Sequence, residues 1–119
     1  MPGGIYSKRY LERTSEGLVK ELRGLKEGIK KVATNEIEGG EHQLEKVSEE
    51  IYDKWKKVNR SWTILVLHNE LDMIGVSLTS IRVNIRIGEY NRAIDEIDRT
   101  IFWLEDIVDK ERVAVRNIL

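Results

Sequence analysis

Residues 62–87 read WTILVLHNELDMIGVSLTSIRVNIRI. At about 100° of turn per residue, two apolar stripes run along this stretch. One holds Leu67, Leu71, Ile74, Leu78, Ile81 and Ile85. The other, nearly opposite, holds Trp62, Leu65, Met73, Val76, Val83 and Ile87. A helix that is apolar on two sides must be covered on two sides. It is expected either to be the central helix of its domain or to lend one face, carrying Val76 and Val83, to another chain.

Between the stripes runs a narrow polar strip of His68, Asp72, Gly75, Thr79, Arg82 and Arg86. His68 and Asp72 are four residues apart and can touch on a helix. A carboxylate there would raise the imidazole pKa and fix the ring. With Arg82 further along, the strip is a candidate ligand or metal site, with His68 as base or ligand. The structural reading is favoured over it. A metal needs three or four ligands in defined geometry. HNELD lacks the two histidines one turn apart of the zinc-protease pattern, and Glu70 points about 200° away from His68. Only His42, near the first turn, could bring a second imidazole. No GxSxG, phosphate loop or GxGxxG occurs. The chain is therefore expected not to be an enzyme, and no cofactor is expected.

The flanking sequence repeats the helical period. Leu11, Ser15, Leu18, Leu22, Leu25, Ile29 and Val32 alternate spacings of four and three, with Gly17, Gly24 and Gly28 on a flank of that face. NEIEGGE at 35–41 breaks the pattern, and Gly39-Gly40 marks a turn. A second seam runs Leu44, Val47, Ile51, Trp55, Val58 and Trp62, where the tryptophan pair reads as core rather than as a ligand cage. A break is expected near Asn59-Arg60-Ser61, with Asn59 or Ser61 as N-cap; otherwise helices two and three are one long bent helix. Gly88 is placed as a C-cap. The fourth helix buries Tyr90, Ala93, Ile94, Ile97, Ile101, Leu104 and Val108. Phe102 and Trp103 lie off that face, as packing against the C-terminal tail or as an interface anchor. The tail, Asn117-Ile118-Leu119, is expected to dock on the bundle.

The predicted fold is thus all-α: an antiparallel four-helix bundle of two helical hairpins. Residues 10–119 form its single domain, and 1–9 are set apart as a disordered or non-native N-terminus. The 119 residues suit one domain and contain no cysteine, which excludes disulfides, thiolate metal sites and cysteine nucleophiles. Twenty basic residues against twenty-one acidic give a net charge of −1, which argues against nucleic acid as a partner. No run of about 18 apolar residues is present to span a membrane. Charge is segregated, however. Residues 8–31 hold eight Lys/Arg and four Glu (+4), whereas residues 89–111 hold three Lys/Arg and eight Asp/Glu (−5). Two helices with complementary surfaces lying side by side explain this most simply; a bipolar partner surface is the alternative.

Several stretches resemble one family. They are YLERTSEGL from Tyr10, KWKKV, WTILVLHNELDMI, LTSIRVNI with its following Gly-Glu turn and RAIDEI, and the final NIL. The most specific is W-x5-H-x-E-L-D-x-I from Trp62 to Ile74. Together they resemble the uncharacterised bacterial domain of unknown function 4363 over nearly the whole chain. The resemblance implies an all-helical domain and an N-terminal hydrophobic segment for anchoring or export. This sequence departs at that segment. Where such an anchor exists, the domain is expected on the extracytoplasmic face of the membrane. The resemblance brings no catalytic residues. The expected role is an interaction or scaffold domain, with an unidentified protein or a second copy of itself as partner.

Overall fold

Four helices account for the described chain: α1 (Gly3–Ala33), α2 (Glu41–Trp62), α3 (His68–Arg86) and α4 (Tyr90–Ile118). They come from a computed structural model that describes the backbone of residues 3–62 and 68–118 and the side chains of 9–62 and 69–110. Each helix packs chiefly against two neighbours, in the ring α1–α2–α3–α4–α1. The result is an antiparallel four-helix bundle measuring 52 × 21 × 19 Å.

Amphipathic spacing explains the core. The expected stripe of α1 is buried, from Leu11 to Val32, with Leu22 and Ile29 at 0% exposure. Ser15 fits among these aliphatics because its hydroxyl donates to the Leu104 carbonyl of α4 at 3.1 Å. Trp55 and Trp62 are buried and meet edge to face, with ring centroids 5.6 Å apart. The Trp62 indole N–H donates to Thr14 Oγ1 at 2.9 Å, so the bulkiest core side chain is also hydrogen-bonded. The basic α1 and acidic α4 are neighbours, joined by Lys26–Asp98 at 2.7 Å and Arg23–Glu105 at 3.9 Å. Charge segregation in the sequence thus has its plain explanation.

Two sequence expectations are corrected. Asn59 and Ser61 lie inside α2, which continues to Trp62, so neither begins a helix. Burial of Trp62 against Trp55 and Thr14 holds that last turn in helical phase. Helix α2 therefore runs on past the expected break. Nor is α3 the centre of the domain. Trp62 belongs to α2, and α3 is one member of the ring, with one face in the core.

The helix ends have local causes. Gly88 adopts φ +77°. Its N–H donates to the Ile85 carbonyl at 3.1 Å, and Glu89 N–H donates to the Asn84 carbonyl at 2.8 Å. That pair of bonds is a Schellman stop, which needs a left-handed residue after the last turn. Helix α1 ends in the same way, but on Asn35 (φ 60°) rather than on the glycines at 39–40. At the other end, α1 begins at Gly3, so residues 3–9 continue the first helix. Leu65 and Leu67 of the two stripes, and the side chains of the C-terminal tail, lie outside the described residues.

Candidate functional site

Helix α3 presents two opposite faces. Leu71, Ile74, Leu78, Ile81 and Ile85 are buried in the bundle. About 160° around the helix, Met73, Val76, Val83 and Ile87 face solvent, with Val76 at 71% exposure. Ile87 stays in helical phase because its N–H donates to the Val83 carbonyl at 3.1 Å. From α4, Phe102 joins this surface at 64% exposure, whereas Trp103 beside it is half-buried against the core. Met73, Phe102 and Trp103 line a shallow depression of about 230 Å³ between the two helices. Isolated exposed apolar residues are ordinary, but a row of them along one helix marks a surface suited to a partner.

The polar strip borders this face on the α2 side, where its Gly75 and Arg86 meet that helix. Gly75 lies where an added Cβ would sit 3.5 Å from the Trp55 indole nitrogen. Thr79 donates its hydroxyl to the Gly75 carbonyl at 3.0 Å. Arg86 reaches Glu45 of α2 at 2.9 Å. Arg82 is half-buried, and its Nε is buried without a hydrogen-bond partner among the described residues. Asp72 is exposed. The His68 side chain, first in the candidate ligand set, lies outside the described residues.

The backbone nonetheless limits the strip. Asp72 and Arg82 are ten residues apart on one helix, about 15 Å along its axis, so a ligand shared by them would have to span nearly three turns. His42 sits at the start of α2, the end that faces Arg86, while His68 begins α3 at the opposite end. The 19-residue length of α3 separates them by about 27 Å, too far to share a metal. Among the described residues no group of three or more His, Asp or Glu is placed to hold a metal ion. Larger depressions open elsewhere. One of about 590 Å³ lies between α1 and α2 over Gly24, Gly28 and Leu44, and one of about 350 Å³ lies between α1 and α4 over Ser15 and Val19. Neither is lined by Asp72 or Arg82.

Sequence reasoning missed a polar layer between α3 and α4. Ser77 and Thr100 are buried, with their hydroxyl oxygens 2.5 Å apart. The Ser77 hydroxyl also lies 2.7 Å from Glu96 Oε2, and Thr100 donates to the Glu96 carbonyl at 2.7 Å. Arg99 donates to the other Glu96 oxygen at 2.9 Å. At the end of the apolar face, Lys110 bridges Glu70 at 3.0 Å and Asp106 at 3.1 Å. Its hydrogen bond to Glu70, then that to Asp106, holds its pKa above the ordinary 10.5. A raised lysine pKa favours the folded state below that ordinary value, and the contribution is lost as pH climbs through the raised one. These groups fasten α3 to α4 and so fix the exposed face.

An all-helical bundle with an apolar outer face is the class of protein that this geometry defines. The chain belongs to the family described as Domain of unknown function (DUF4363), which it matches over residues 5–118. No curated protein and no solved structure matches it. None of the described helices is long and apolar enough to cross a membrane.

Proposed function

We propose that this domain is a non-enzymatic interaction module that engages a protein partner through the outer face of α3. The observation that carries the reading is the exposed row Met73, Val76, Val83 and Ile87, extended by Phe102. Val76 and Val83 stand at its middle, Phe102 at one edge. Trp103 supports that edge from beneath as part of the packed layer. Hydrophobic side chains left outside a well-packed core add nothing to the fold, and their burial by a partner would supply a driving force for association. We propose further, on the strength of the family resemblance alone, that the module works on the extracytoplasmic side of a bacterial membrane, displayed by an N-terminal anchor.

The test is capture from the native host with the chain carrying its natural N-terminus, compared with the Val76→Glu, Val83→Glu double variant. The reading expects a specific protein captured by the first and lost from the second, while helical content measured by circular dichroism is equal. Equal capture by both would remove this face from the account.

A further inference from the structure

We propose that the partner covering the α3 face is a second copy of this chain, packed antiparallel to the first across a two-fold axis near Thr79. This rests on the interaction-module reading and names its partner. Met73, Val76, Ser80, Val83 and Ile87 follow spacings of three, four, three and four. That is the heptad seam by which one helix packs along another. All five lie within an arc of about 80°, narrow enough for a two-helix contact. Ser80, small and half-exposed at the middle, lets two such seams approach closely where they cross.

The charge pattern selects the occupant. Along one border of the seam stand Asp72, Thr79 and Arg86, seven residues apart each time. A seven-residue step keeps them on one side of the seam, at the positions that set partner and orientation in coiled coils. A second α3 running in the opposite direction places its Arg86 against Asp72 of the first copy. By symmetry the same pair forms again at the other end, with the two Thr79 residues meeting at the axis. A parallel pairing would turn this border toward the other flank of the second helix, which holds Ser77 and Asn84, and would form no ion pair. Arg86 already contacts Glu45 of its own chain. Its guanidinium has five donors, enough to serve both carboxylates. Phe102, at the Met73 end, extends the contact at both ends of the symmetric pair. The apolar area is small, so the dimer belongs to the weak, concentration-dependent class.

Light scattering and sedimentation equilibrium on the full chain test this together with single-cysteine cross-linking, which is clean because the chain has no cysteine. The mass is expected to rise from one chain toward two with concentration. Val76→Glu is expected to raise the dissociation constant by more than about tenfold while leaving the helical circular dichroism unchanged. With a short bismaleimide, Thr79→Cys should link to its own copy. Asp72→Cys should link to Arg86→Cys in a mixture of the two, but not to itself. A chain that stays monomeric up to about 1 mM, with no Thr79→Cys adduct, overturns the second copy as partner. So does a dimer that survives Val76→Glu or links Asp72→Cys to itself. The interaction-module reading falls separately, only if capture from the native host is indifferent to Val76→Glu, Val83→Glu.

Discussion

Gly88 and Gly24 differ only in where the chain puts them. Gly88 stops α3 at φ +77°, a conformation that side chains with a Cβ enter at a cost. Gly24 lies inside α1 with open space where its Cβ would stand. Gly88→Ala is therefore expected to destabilise by about 1 kcal/mol, and Gly24→Ala to stabilise by about 0.5–1 kcal/mol. In urea titrations the two midpoints should move in opposite directions. Ile74 and Val76 make a similar contrast two residues apart, at 0% and 71% exposure. Ile74→Ala should cost about 2–5 kcal/mol through the cavity it leaves, and Val76→Ala less than about 0.5 kcal/mol. Equal losses in chemical denaturation of the monomer would show that the outer face is not outside the fold.

At the scale of the elements, spacing revealed which residues face inward. The stripes of all four helices could be read because a 3.6-residue period survives any detail of packing. Helix ends were less legible. The glycine pair at 39–40 is the louder signal, yet Asn35 ends α1, because asparagine also tolerates the left-handed conformation. Asn59 and Ser61 resemble N-caps, but a half-buried Asn59 and an exposed Ser61 are equally at home inside a helix held down by Trp62. Gly28 shows the same limit. Nothing local separates it from Gly24, yet Leu44 Cδ2 lies 3.0 Å from where its Cβ would be. The layer of Ser77, Thr100 and Glu96 was invisible for a related reason: each residue is unremarkable within its own helix, and only the α3–α4 contact joins them. Ser77→Ala should cost about 1 kcal/mol, measured by thermal unfolding, since it removes a buried hydroxyl shared by two partners.

For the whole molecule, the four-helix ring follows from four amphipathic segments, and the +4 and −5 segments predicted the α1–α4 contact. The candidate site was half legible. Both stripes of α3 stand in the sequence, but periodicity cannot say whether a second stripe is covered by the same chain. In the fold α3 packs against α2 and α4 and leaves Met73, Val76, Val83 and Ile87 outside. The polar strip was legible too, and its Gly75 and Arg86 prove to serve the seam with α2. That this outer face is where the protein meets its partner is the central claim. It is tested most directly by placing a photo-activated cross-linking residue at position 76 in the native host, with a control at Glu49, exposed on α2. The account predicts a discrete protein adduct from position 76, whether a second copy or another chain, and none from position 49. No adduct at 76, or the same adduct from both positions, would contradict it.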